Sequence, residues 1–364
     1  MLRHLIFSYE NRHCHPQPER GANLDPQQIL ERYRTEINDE LGAILAQRTS
    51  PLYDMMRYHL GWVDAQGRPT GEGGGKALRP TLCLLACQAV GGDYRTALPA
   101  AAALELIHNF SLIHDDIEDR SPERRHCPTV WWQWGVPQAI NAGDAMHALG
   151  RLALLRLEER DVLSTKVLRA ARMLDEACLR LCQGQYLDIS FQDRLDIGVD
   201  AYLEMIGGKT ASLIESALCI GALLGTDGEE VIERFRRCGR NLGLAFQMRD
   251  DVLGIWGEDE IIGKSSATDI QEKKKSLPII YALEKATGQA RAELVGIYNK
   301  ASLEAEDIAV VRGILDALGA QMYVQVKAQD YYRQALAELD GLGLSSPAQE
   351  ELRNLAAFLV EREY

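Results

Sequence analysis

The stretch Ile107–Arg125, "IHNFSLIHDDIEDRSPERR", changes character halfway along. Its first half is mostly apolar with helical spacing. Asp115, Asp116, Glu118 and Asp119 then arrive together, followed by the cations Arg120, Arg124 and Arg125. On a helix, residues four apart lie on one face, so Asp115 and Asp119 stand one above the other. Such like charges repel by roughly a few tenths of a kcal/mol, and more when partly buried. A solvated helix end would tolerate that. These carboxylates, however, follow directly on "LELIHNFSLI", which reads as core. The sharper reading is a pair of oxygen ligands for a hard cation, Mg²⁺, which keeps several waters and binds through one or two carboxylates plus substrate phosphates.

A second acidic pair closes another apolar helix in "GLAFQMRDDVLGIWGED", with Asp250 and Asp251; Gly254 occupies the place where a further Asp would mirror Asp119. Two such helix ends suggest helices facing each other across a cavity with metal ions between them. Cations are scattered around them. "GGGKALRP" places Lys76 and Arg79 between a Gly-rich loop and a helix start. It is not a P-loop, because Thr70 stands where the motif needs Gly and Ala77 where it needs Ser or Thr. "GGKT" holds Lys209 and Thr210, and "IGKSSATDIQEKKKSLP" carries Lys264 and the run Lys273–Lys275, which for Lys273 and Lys275 reads equally as a solvated face. Carboxylates for metal plus dispersed Lys and Arg describe a site for diphosphates.

Around these motifs the chain is helical in pattern. Asp25, an N-cap followed by Pro26, opens a helix; residues 61–76 form a Gly-rich loop. Apolar residues then recur with helical period over roughly 78–91, 95–114, 136–157, 163–190, 198–224 and 227–254, and in shorter pieces to the C-terminus. Strand-like alternation bounded by hairpin signals is missing. The expectation is one all-α domain over residues 25–364, a large helical bundle, after a loose polar arm at 1–24.

The 364 residues carry 40 Lys+Arg against 53 Asp+Glu, a net charge of −13. That balance argues against a nucleic-acid partner, since phosphate-backbone affinity needs clustered surplus cations. It leaves anionic small substrates open, because metal ions invert the sign of an acidic pocket. No uninterrupted apolar run approaches about 18 residues, so no membrane span is expected. The N-terminal "LIFSY" is too short for a signal peptide, and the chain reads as cytoplasmic. Cys83 and Cys87, and Cys178 and Cys182, sit four apart in apolar helical surroundings and read as small core residues.

With its motifs assembled, the chain resembles the trans-isoprenyl diphosphate synthases (polyprenyl synthetases), especially short-chain farnesyl and geranylgeranyl diphosphate synthases. "GGKALRP", "HNFSLIHDDIEDRSPERRHCPT", "GGKT", "FQMRDD" and "GK…KKSLP" occur in the family's order at compatible spacings over residues 70–280. The resemblance implies an all-α fold around a deep central cavity and a homodimer. Asp115 and Asp119, with Asp116 nearby, match the first metal-binding motif; Asp250 and then Asp251 match the second. Lys76, Arg79, His108 and Arg125 match the isopentenyl diphosphate site. Arg124, Lys209, Thr210, Gln247, Lys264 and Lys274 match positions at the allylic diphosphate or its approach. Three departures stand out: Ala77 where a second basic residue is common, His126 in place of the usual Gly, and Gly254 in place of the last Asp.

The implied chemistry is electrophilic prenyl transfer, with three Mg²⁺ ions held by Asp115, Asp119 and Asp250, and Arg124, Lys209 and Lys264 gripping the allylic diphosphate. No Ser/His/Asp or Cys/His constellation suggests a side-chain nucleophile. Phe110 lies five residues before Asp115, about 7 Å along the axis, and with Ser111 would form the floor that sets product length, favouring geranylgeranyl over farnesyl diphosphate. Two rivals share the fold: a class I terpene cyclase, which would carry a different second metal motif, and a non-catalytic partner subunit, which would lose one acidic motif. The literal ExxH of "ELIH", Glu105–His108, would need three more ligand groups on facing helices to hold two irons.

Overall fold

The computed structural model describes residues 25–46, 48–71, 75–257 and 267–361. The arm expected over 1–24, and Lys264, lie outside them. Ten helices lead up to the second acidic motif: α1 (Pro26–Leu45), α2 (Pro51–His59), α3 (Leu78–Ala89), α4 (Leu98–Glu118), α5 (Val130–Trp134), α6 (Val136–Leu155), α7 (Ser164–Phe191), α8 (Val199–Ile206), α9 (Ser212–Gly225) and α10 (Glu229–Trp256). The first begins as its sequence dictates. Pro26 takes the first helical position, and Asp25 and Gln28 exchange side-chain and backbone hydrogen bonds in a capping box.

The bundle is organised on α4. Its Ala100–Ala103 run favours helix, and these residues with Leu104, Leu106 and Ile107 are fully buried. Small side chains there let α3, α6 and α9 pack close on three sides. The helix runs four residues beyond its expected end, so the carboxylates of the first acidic motif sit in its last turn. A helix of 21 residues, Ala320–Asp340, longer than the pieces expected in this third of the chain, packs along α10.

Two local features depart from the sequence pattern. The helix expected over 198–224 is interrupted by a π-helical turn at Gly207–Ala211, which carries the "GGKT" residues. Such turns are frequent at functional sites. The turn lies directly against α7: a Cβ added to Gly184 would fall 2.1 Å from the Lys209 amide nitrogen, and one on Gly208 would fall 2.5 Å from the Arg180 carbonyl oxygen. Only two facing glycines permit that approach. The second feature is a small antiparallel ladder of β1 (Glu123–Arg124) and β2 (Cys127–Pro128), where no strand was expected. Between them Arg125 and His126 have φ of 52° and 61°, both positive as a type I′ hairpin turn requires. His126 thus occupies a left-handed conformation that favours glycine.

Among the described residues, Tyr94–Glu118 and Val199–Gly225 are long and apolar enough to cross a membrane by composition, but 78% and 89% of their apolar windows are buried inside the fold. Cys83, Cys87 and Cys178 are buried core residues as expected; Cys182 is exposed instead.

Candidate active site

The last turn of α4 meets the π turn and the hairpin. Lys209 Nζ donates to Asp188 Oδ2 at 2.6 Å and to Asp115 Oδ1 at 3.2 Å, so one ammonium bridges α7 and α4. Arg124 is aimed by β1 at the same turn. Its Nε donates to both oxygens of Asp116, at 2.8 and 3.1 Å, and its Nη2 lies 3.7 Å from Asp115 Oδ2. Asp115 therefore has a cation near each oxygen. Burial opposes the charge of Lys209, but Asp115, Asp188 and Asp119 outweigh it and its pKa is raised. Burial, with Asp115 and Asp188 adding repulsion, pushes the Asp119 carboxyl up to about 6.

The second acidic motif approaches this field from α10. Asp188 and Lys274 both act on Asp119, and Asp188 acts on Lys274 together with Asp269 and Asp251. Burial works against the Lys274 charge, yet these carboxylates raise its pKa. Asp250 is half-buried on α10, one residue before a fully committed neighbour. Asp251 accepts from the Leu277 amide at 2.8 Å, from Gln247 Nε2 at 3.1 Å and from the Tyr202 hydroxyl. Gln247 in turn accepts from Thr210 Oγ1 at 2.7 Å.

This corrects two of the expected metal ligands. Asp251 is 2% exposed, with both oxygens engaged by this network, and burial pushes its carboxyl up to about 6. Asp116 is 1% exposed and gripped by Arg124. Both stand behind the motif as positioning residues. Asp115 and Asp119 keep the required arrangement: one face, high negative charge and repulsion that a dication would relieve. Among the described residues no three metal-type side chains gather around one point. That suits a cation whose remaining ligands are water and substrate oxygens rather than a protein cage.

One face back along α4 the charge reverses. His108 lies near Arg79, Arg125, Arg124 and His59; burial first, then these arginines, hold its pKa well below the usual range, so the imidazole is neutral. Burial likewise pushes Arg79 down to about 10, with Glu105 partly restoring it. Glu105 is buried, accepts from Asn109 Nδ2 at 2.9 Å and faces both Arg79 and Arg125. The "ELIH" pair thus belongs to a cationic pocket and not to an iron site. Arg79 Nε and His59 Nε2 are buried without a hydrogen-bond partner, the state in which an anion would be welcome. Lys76 sits at the exposed end of the loop before α3. A Cβ on Gly75 would fall 3.1 Å from the Arg125 guanidinium, so the Gly loop closes over that arginine.

A cavity of about 380 Å³ joins these charges to apolar wall. Asp115, Lys209 and Arg79 share its lining with Phe110, Ser111 and Leu181. Phe110 is held edge-on by His114 and His147, ring centroids 5.7 and 5.0 Å away. A second cavity of about 490 Å³ lies beside His59, Gly75, Arg124 and Arg125. His59, Tyr202 and Asp269 carried no sequence signal: each is one polar residue in an ordinary helical or loop context. Asp188 did, through its spacing on α7, and its bond to Lys209 is present.

A protein-family model described as Polyprenyl synthetase matches residues 62–315. The (2E,6E)-farnesyl diphosphate synthase of Mycobacterium tuberculosis (strain ATCC 25618 / H37Rv) is 38% identical over 323 residues, covering 88% of this chain and 89% of that protein. The geranylgeranyl diphosphate synthase of the same organism is 37% identical over 312 residues, covering 85% and 88%. The crystal structure of a polyprenyl synthetase from Streptomyces coelicolor A3(2) superposes with a TM-score of 0.85 at 36% identity, covering 92% of this chain and 100% of that one.

Proposed function

The chain belongs to the polyprenyl synthetase family and is a trans-prenyltransferase that uses isoprenyl diphosphates, and from that premise we propose that it condenses isopentenyl diphosphate with an allylic diphosphate to give a short-chain product, geranylgeranyl diphosphate ahead of farnesyl diphosphate. One observation carries this reading. His108 and Asp115 lie seven residues apart on α4, roughly 10 Å along its axis, and each stands in a pocket suited to one diphosphate.

In the cationic pocket, Arg79 and Arg125 grip the isopentenyl diphosphate, the neutral His108 ring hydrogen-bonds it, and Lys76 closes from the loop. In the acidic pocket, Arg124 and Lys209 bind the allylic diphosphate, aided by Lys274 and Lys264 and by Thr210 and Gln247, which anchor the π turn to α10. The family is metal-dependent; Mg²⁺, three ions held by Asp115, Asp119 and Asp250, would supply Lewis-acid stabilisation of the departing diphosphate. The cationic side chains stabilise the same developing charge. Apolar wall below the motif keeps water from the allylic cation, the isopentenyl double bond attacks it, and the proton lost leaves with the released pyrophosphate.

Phe110, with small Ser111 beside it, limits the depth available to the growing tail. A second copy of the chain completes the assembly. Leu152 and Leu155 on α6 and Leu168 and Leu179 on α7 are 46–69% exposed, a stripe on adjoining helices that a homodimer would cover. Chromatography of products from isopentenyl diphosphate with primers of five, ten and fifteen carbons tests the reading. Accumulation of a twenty-carbon diphosphate is expected. Conversion of the allylic primer alone to a cyclic hydrocarbon, or no condensation with any primer, would overturn it.

A further inference from the structure

Gly254 lies one turn beyond Asp250 on α10, and residues four apart on a helix share a face. A side chain at position 254 would therefore project beside that of Asp250. Its space is already taken. A Cβ on Gly254 would fall 2.6 Å from the Asp269 carboxyl carbon and 2.7 and 2.8 Å from its oxygens. Asp269 is 7% exposed. Its Oδ1 lies 3.7 Å from Lys274 Nζ, and its Oδ2 is buried with no hydrogen-bond partner. A buried carboxylate oxygen left unpaired is costly and calls for an explanation. Holding the local turn is not that explanation, because the Lys274 amide already closes it on the Asp269 carbonyl at 2.9 Å.

We propose, resting on the metal-and-diphosphate reading above, that Asp269 supplies the carboxylate absent at position 254 and completes, with Asp250, a site for a divalent cation bound to a diphosphate. The exchange accounts for both oddities at once. Glycine is required at 254 because any Cβ displaces the carboxylate, and Oδ2 is unpaired because its partner is the cation or a water bound to it. Lys274 then faces the diphosphate from the same turn. The motif that looks incomplete in the sequence is completed by a residue from another segment.

The test uses full-length protein, Mn²⁺ as a paramagnetic probe and inorganic pyrophosphate, with binding followed by calorimetry and by the Mn²⁺ resonance signal. Asp269→Asn preserves shape and removes charge; it is expected to weaken Mn²⁺-dependent pyrophosphate binding about 10- to 100-fold. Gly254→Ala deletes no carboxylate, yet should weaken binding similarly by pushing Asp269 aside. The double variant Gly254→Asp with Asp269→Ala should regain most of the lost affinity. Thermal melts monitor folding, and Gly254→Ala serves as an independent arm should Asp269→Asn melt early. Wild-type affinity in both single variants, with binding lost in Asp115→Ala, overturns this inference alone. A double variant no tighter than Asp269→Asn overturns the exchange. Wild-type affinity in Asp115→Ala as well would bring down the metal-and-diphosphate reading itself.

Discussion

Burial acts in opposite senses on the two polar stretches of α4. Around His108 it drives protons off: His108, His59 and Arg79 are all pushed down, the last two to about 3 and about 10. In the last turn it drives protons on: Asp116 and Asp119 are both pushed up to about 6. An enclosed pocket penalises whichever charge it is built from. Arginine keeps its charge through that penalty, so the first pocket can hold an anion by itself and can leave its histidines neutral as hydrogen-bonding groups. Carboxylates cannot bind an anion at all without a dication between. One helix thus presents a metal-independent and a metal-dependent anion pocket on successive turns.

The difference breaks most visibly at Asp115. Asp115→Ala should lower kcat/KM for condensation by about 10²- to 10³-fold and leave Lys209 paired with Asp188 alone. Near-normal turnover with Mg²⁺ would remove the acidic turn from the chemistry. Arg125→Ala should act on the other pocket only. The KM for isopentenyl diphosphate should rise about 10- to 100-fold, with the KM for the allylic substrate and the Mg²⁺ requirement unchanged. Equal damage to both substrates in steady-state assays would mean that the two pockets are not separable. Phe110→Ala touches neither pocket and should lengthen the product by one five-carbon unit. An unchanged product would place the floor elsewhere.

Much of this contrast was legible before the fold. The acidic i, i+4 pair after an apolar run placed the first motif on one helix face, and the order of the Lys and Arg motifs placed the cations. What could not be read follows from geometry that spacing does not encode. Asp251 looks equivalent to Asp250, yet Tyr202, Gln247 and the Leu277 amide consume it. Asp116 looks like the centre of the motif, yet a two-residue hairpin turns Arg124 onto it. That hairpin, the π turn and the residues Ala77, Arg120, Ala267 and Lys273 all need backbone conformations that few residue types announce: each of the four has a positive φ without being glycine. They cluster around the site, as strained positions tend to do. His126 and Ala77, read as departures in side-chain chemistry, are as much departures in backbone preference.

The smallest effect is the most direct measure of the contrast, because it needs no substrate. His59 has a folded-state pKa of about 3, pushed down by burial, Arg124 and Arg125 from an ordinary 6.5. The unfolded chain therefore takes up the proton first, and the stability His59 contributes is present above about pH 6.5 and lost as pH falls toward 3. Asp119 runs the other way: its pKa is raised from 3.8 to about 6, so its folded form holds a proton that the unfolded chain releases. The stability it contributes is present below about pH 4 and lost as pH rises through 6. In chelator-treated protein the two oppose each other across the same interval. Melting temperatures at about pH 5 and about pH 7, below and above the ordinary histidine value, separate them. His59→Gln should raise the value at the lower pH relative to the higher, and Asp119→Asn should lower it. Adding Mg²⁺ with pyrophosphate should stabilise the wild type more at the higher pH, where Asp119 is ionised. Shifts of the same sign in both variants would show that the two turns of α4 do not carry opposed electrostatics.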